Sequence, residues 1–186
     1  MVGDDFKFGK ERSGDFDFLS DWGSNNQIEV DRIPTHSFEG RRVSSTWIRE
    51  SIADGNFDLA AKLLDRRYTF SGKVVFGNKV GRTIGVPTAN IWVPKSNLPI
   101  KGVYAVKALV KGETFNGIAN MGVRPTVGGT SPVLEIHIFD FNEEIYGCRI
   151  EVEFYQKIRN EKKFENLDKL KEQINLDIAE TRKYFS

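Results

Sequence analysis

Mainly β structure, a sandwich or closed barrel with one long helix laid against it, is what this sequence predicts, and three features carry that expectation. From about residue 69 onward come short runs rich in Val, Ile, Phe and Tyr: YTFSGKVVFG, GVYAVKALVKGETFNGIANMG, VLEIHIFDF and CRIEVEFYQKI. Many alternate in polarity and glycine-containing turns separate them, as strands of a sandwich or barrel require. The closing stretch ENLDKLKEQINLDIAETRKYF then changes to a helical period.

The first 68 residues behave differently. DFKFGKERSGDFDFLSDWGSNN is polar and turn-rich, whereas SSTWIRESIADGNFDLAAKLLDRR reads as two short helices, capped near Ser44 or Ser45 and near Asn56, with Gly55 as the break. Ile48, Ile52, Leu59, Leu63 and Leu64 need something to pack against, and the segment is too small to own a core, so it reads as an incomplete domain. Further on, LVKGETFNGIANM predicts a hairpin with Lys111, Gly112 and Glu113 at its turn. In LEIHIFDF a period of two puts Leu134, Ile136 and Ile138 on a core face and Glu135, His137 and Phe139 on the other. The final helix carries a stripe of Leu167, Leu170, Ile174 and Ile178, with Asn166 as N-cap and Asp168 in its first turn. No fully polar linker precedes it, so barrel and helix are expected to fold as one unit.

Composition narrows the function classes. At 186 residues the chain has room for one core plus an appendage or small second domain. Apolar residues make up 39% and charged residues 28%, without any apolar run long enough to span a bilayer, so a water-soluble protein is expected. The start, MVGDDFKFGKERSGD, has no apolar core of a secretory signal, which makes the cytoplasm the default location. One cysteine, Cys148, excludes an internal disulfide framework, and two histidines, His36 and His137, argue against a His-rich zinc site. Lys and Arg number 27 against 26 Asp and Glu, so no basic excess points to nucleic acid or anionic lipid.

The segment GRTIGVPTANIWVP carries the most chemistry. Neither a P-loop nor a Rossmann glycine fingerprint is present, yet Gly72, Gly77, Gly81 and Gly85 would let backbone amides approach a polyphosphate, with Lys73, Lys79 and Arg82 supplying charge. An ordinary glycine-rich β-turn with surface bases would look the same. Thr88 and Asn90 are more specific, because residues two apart on an extended chain project to the same side and would present two neutral oxygens together. Such a pair suits Mg²⁺ in a metal–ATP site, with Pro87 and Gly85 making the delivery rigid. Phosphoryl transfer to an alcohol also wants a carboxylate near the hydroxyl, for which Glu135 is the candidate, with His137 beside it as a second polar contact or a structural histidine. Asp140, Glu143 and Glu144 form an acidic turn, read as a metal site or a solvated loop. Arg159 and Phe164 lie between the last strand and the last helix, where a loop could fold over a ligand.

Taken in order, GKVVFGNKVGRTIGVPTANI, KGVYAV, NMGVRPT, LEIHIFDFNEEIYG and IRNEKKFENLDKLKEQINLDI resemble the riboflavin kinase domain at the C-terminal end of bacterial bifunctional riboflavin kinase/FAD synthetases. The resemblance implies a domain over 69–186, a six-stranded Greek-key barrel with a long C-terminal helix. It implies ATP- and Mg²⁺-dependent phosphorylation of the riboflavin 5′-hydroxyl to give FMN and ADP. By this resemblance Thr88 and Asn90 handle Mg²⁺ and phosphate, and Glu135 is the catalytic base. Gly77, Arg82, Gly85 and Pro87 fall near the ATP phosphates, Ile145, Tyr146 and Gly147 near the adenine, and Arg159 and Phe164 where a loop closes over the flavin.

In residues 1–68, VGDDFKFGKERSGD and VSSTWIR resemble the closing portion of the adenylyltransferase module of the same enzymes, an α/β fragment in which Ser44, Ser45, Thr46 and Arg49 match a phosphate-binding segment. The upstream H-x-G-H nucleotide motif is not in the sequence, so FAD synthesis is not expected of this chain. The partners expected are riboflavin and ATP, with no nucleic acid or membrane, acting on a monomer. A non-catalytic flavin- or nucleotide-binding barrel is the alternative; an oligonucleotide-binding barrel would want a basic groove that the near-neutral charge does not supply.

Overall fold

The computed structural model describes all residues except 78–80, 82–84, 95–97 and 127–128, and all described side chains except those of 124–126, 129 and 130. The chain divides into two compact units, Met1–Ser45 and Thr46–Ser186.

In the first unit β1 (Val2–Gly3) pairs in parallel with β2 (Arg32–Ile33), and β3 (Ser37–Phe38) forms a hairpin with β4 (Arg41–Arg42). Thr35 donates both its amide and its hydroxyl to the Asp4 carboxylate, which draws that carboxyl below its usual range. Helix α1 (Phe16–Asn25) runs through the stretch whose polarity suggested only turns. Its start is local chemistry: Asp15 in extended backbone accepts a hydrogen bond from the Phe18 amide at 3.1 Å and sits at the positive end of the helix dipole.

The second unit opens with α2 (Ser45–Ala53) and α3 (Phe57–Leu64). Gly55 between them adopts φ 80°, and Asn56 caps α3 by accepting from the Leu59 amide at 3.1 Å, as its sequence suggests. These helices are not part of a separate leading segment. Ile52, Phe57 and Ala60 belong to the barrel's own core, where the Phe57 ring meets Tyr104 edge-on at 5.6 Å and stacks on Phe154 at 5.8 Å. Burying one such ring is worth on the order of 2–3 kcal/mol, so the apolar faces of α2 and α3 find their partner in strands that come later in the chain.

Those strands are β5 (Thr69–Val75), β6 (Ala89–Trp92), β7 (Gly102–Val110), β8 (Glu113–Thr126), β9 (Gly129–Ile138) and β10 (Arg149–Arg159). They close an antiparallel barrel in the order β10-β5-β6-β9-β8-β7. β7, β8 and β9 follow one another as hairpins and β6 returns beside β9, a Greek-key connection. The β7–β8 turn is two residues, Lys111 and Gly112 at φ 50° and 90°, with Glu113 already paired to Val110 and not in the turn. Leu134, Ile136 and Ile138 point inward and are buried, as the alternation predicts.

The C-terminal helix, Leu167–Phe185, is capped by Asn166, which accepts from the Lys169 amide at 2.9 Å. It covers the outer side of the barrel, where Ile178 packs with Val103, Ile118 and Phe139. Leu167, expected on its apolar stripe, is 57% exposed, and the fully buried positions of the helix are Asp177 and Thr181. Among the described residues no helix is long and apolar enough to cross a membrane.

Candidate active site

Strand pairing assembles the site on the outer face of three neighbouring strands. Asn90 of β6 and Asn120 of β8 both stand opposite Glu135 of β9, so the rung Asn90, Glu135, Asn120 is a polar row on a wall whose inner side is Leu134 and Ile136. Thr88 lies one residue before β6, and Glu135 is half-buried. Gly77 packs against this row: a Cβ there would sit 2.4 Å from Asn90 Nδ2, so any side chain at residue 77 would displace that buried amide. Gly85 has a different requirement. It holds φ 83°, and a side chain there would meet open space, so backbone conformation and not room demands glycine.

Two cavities meet at Thr88. The larger, about 390 Å³, lies between the outer wall and the C-terminal helix and is lined by Thr88, Glu135, His137, Arg159, Phe164 and Asp177, among others. The smaller, about 210 Å³, opens at the barrel end between Pro87, Thr88, Ala89, Ile136, Ile145 and Tyr146. Gly147 turns the chain beside it and donates its amide to the Val74 carbonyl at 2.9 Å. Phe76, 73% exposed, stacks on Tyr146 with ring centroids 4.1 Å apart, an aromatic pair at the rim of the smaller cavity.

Arg159 is the final residue of β10 and not part of the loop; irregular pairing with β7 carries the strand on to it. Its Nε donates to both oxygens of Asp177, at 3.0 and 2.9 Å, Nη2 lies 2.8 Å from Oδ2, and Nη1 donates to the Asn160 carbonyl at 3.0 Å. Asp177 is buried and also accepts from Gln173 Nε2 at 2.9 Å. The guanidinium is therefore spent on fixing the helix to the strand end, while Phe164, 5.7 Å from it, walls the cavity. Glu161 and Lys162 of the connecting loop complete that wall, and Glu161 pairs with Lys101 at 3.4 Å.

Of the residues the sequence singled out, Thr88, Glu135, Arg159 and Phe164 share the larger cavity, and Pro87, Thr88, Ile145 and Tyr146 the smaller. Asn90 lies behind Glu135 on the same rung. Arg82 and Lys79 lie outside the described residues. Of the acidic turn, Asp140 pairs twice with Arg182, both at 2.9 Å, and Glu143 with Lys111 at 2.7 Å; among the described residues no cluster of acidic, His or Cys side chains could hold a metal. Asn120, Glu161 and Asp177 were not anticipated. Asn120 could have been found by counting β8 against β9 once Glu135 was chosen; the other two carry no local signal.

Comparisons with known proteins identify the family. A family model described as riboflavin kinase matches residues 64–185, and one described as FAD synthetase matches residues 1–47. The bifunctional riboflavin kinase/FMN adenylyltransferase of Haemophilus influenzae is 48% identical over 186 residues, which is 100% of this chain and 60% of that protein. Its Escherichia coli K12 counterpart is 45% identical, over 99% of this chain and 59% of its own length. The chain thus spans about 60% of the length of these curated relatives. A crystal structure described as a macrolide-efflux protein from Streptococcus pneumoniae superposes with TM-score 0.78 at 36% identity, covering 97% of this chain and 58% of that one. With the kinase family match running from the last residue of α3 through the whole barrel and the C-terminal helix, this chain belongs to the riboflavin kinase family.

Proposed function

We propose that this chain transfers the γ-phosphoryl group of ATP to the ribityl 5′-hydroxyl of riboflavin, giving FMN and ADP. The observation that carries the reading is that Thr88 lines two cavities, one at the barrel end and one under the C-terminal helix, and that Glu135 lines the second; we assign the nucleotide to the first and the flavin to the second. In the transfer the ribityl oxygen bonds to the γ-phosphorus while the bond from that phosphorus to the β,γ-bridging oxygen breaks. ADP leaves with the electron pair, and the hydroxyl proton passes to the Glu135 carboxylate. Positioning supplies most of the rate: Thr88 and the residues around it hold the phosphates, Phe164 and the Arg159–Asp177 clamp hold the flavin, and the half-buried setting excludes water.

The donors here fit Mg²⁺ as the accompanying ion. A hydroxyl, an amide carbonyl and a carboxylate form an all-oxygen set, and few protein ligands are needed when phosphates complete the shell. Thr88 and Asn90 would hold it, and it would offset charge on the phosphates. The segment 1–68 we assign as a partial adenylyltransferase module whose last helices have been taken into the barrel's core; with the FAD synthetase match confined to residues 1–47, FAD synthesis is not ascribed to these residues. On this reading the partners are the small molecules riboflavin and ATP, not nucleic acid, and the protein acts as a cytoplasmic monomer. Incubation with riboflavin, ATP and Mg²⁺ followed by chromatography should show FMN. Saturable binding of both substrates without FMN would leave a non-catalytic flavin-binding barrel, and binding of neither would overturn the proposal.

A further inference from the structure

His137 stands two residues beyond Glu135 on the same outer face of β9, and its Nδ1 lies 2.8 Å from the carbonyl oxygen of Pro87, 50 residues earlier in the chain. A carbonyl oxygen only accepts, so Nδ1 is the protonated nitrogen in this contact. The partner matters. Proline has no N–H, so its carbonyl is the one polar handle by which residue 87 can be held. The peptide that follows is trans and rigid, so fixing the oxygen turns the Thr88 N–H to the opposite side and sets the base from which the Thr88 side chain rises. Just upstream, exposed Gly85 at φ 83° is a conformationally permissive joint. On the other side of the contact the imidazole is restrained: it packs edge-on against Phe139, centroids 5.6 Å apart, and Phe139 is itself buried.

We infer that His137 is a positioning residue: its ring pins the Pro87–Thr88 peptide to the strand that carries Glu135, and so holds Thr88 at the junction of the two cavities. The inference rests on the kinase reading above. Strand β9 then presents the group that receives the proton and, two residues on, the group that fixes where the phosphate-handling threonine stands, so that the two halves of the site are registered to one another by a single strand.

Two measurements test it. Nitrogen-15 NMR of the two histidines, with His36→Gln to assign them, should find a proton on His137 Nδ1, opposite to the Nε2–H form that free imidazole side chains favour. Kinetics then separate positioning from chemistry. In His137→Asn the amide nitrogen takes the place of Nδ1, so KM for Mg·ATP and kcat should stay within about threefold of wild type, whereas His137→Leu, which cannot donate, should raise KM for Mg·ATP about tenfold, the worth of one hydrogen bond. An Nε2–H tautomer overturns the inference. So do equal losses in the two variants confined to kcat, which would put His137 on the reacting atoms, or no effect of either. Wild-type protein that makes no FMN while keeping the Nδ1 proton would instead remove the kinase reading, and the positioning role with it, while the contact itself stood.

Discussion

The two cavities that share Thr88 are walled by opposite faces of the same strands. The smaller is bounded by inward residues of the barrel end, Ala89, Ile136 and Ile138, and by the Phe141–Tyr146 connection. The larger uses outward residues of β9, Glu135 and His137, roofed by the C-terminal helix. Alternation along β9 therefore makes one wall apolar and the other polar within three residues, and a threonine just ahead of β6 stands where the two spaces meet.

The sharpest break in this comparison is at Glu135, which faces only the larger cavity. Glu135→Ala should lower kcat by about 10²- to 10⁴-fold while calorimetry finds Mg·ATP binding nearly unchanged; equal loss of both would make Glu135 a structural residue of the Asn90 rung. Next comes the roof. Asp177→Ala leaves the half-buried Arg159 guanidinium, 21% exposed, without its carboxylate and should cost about 1–3 kcal/mol in urea unfolding, with a raised riboflavin KM; an unchanged unfolding midpoint would show that the clamp does not hold the helix. Smaller, and on the nucleotide side, Gly77→Ala should push the Asn90 amide out of place at a cost of about 1–3 kcal/mol, weakening Mg·ATP and sparing riboflavin. Wild-type nucleotide affinity in that variant would mean that Asn90 is not needed where it stands.

What could be read in the sequence is what chain-local physics encodes. The caps at Asn56 and Asn166 were legible because a side-chain oxygen reaches an amide three residues on. The two faces of β9 were legible because alternation is a period of two. Thr88, Asn90 and Glu135 were legible as chemistry and, through the resemblance, as a group; pairing of β6 with β9 supplies the physical reason. Distance along the chain hid the rest. Nothing near Ile52 or Phe57 announces that their partners are Tyr104 and Phe154, so the barrel's unit reaches back to Thr46 where the composition suggested a boundary near 68. Helix α1 was masked by a polar stretch in which Asp15 was an unrecognised cap. The Arg159–Asp177 clamp joins a strand end to a helix 18 residues on, and a buried aspartate in a helical stripe looks like any surface aspartate until the helix is docked.

The most direct measurement is the pair of Michaelis constants in two single variants, one per cavity. Tyr146→Ala, in the smaller space, should raise KM for ATP by about tenfold with little change for riboflavin, and Phe164→Ala, in the larger, should do the reverse by a similar factor. Crossed effects, or both variants weakening both substrates alike, would contradict the assignment of one substrate to each side of Thr88.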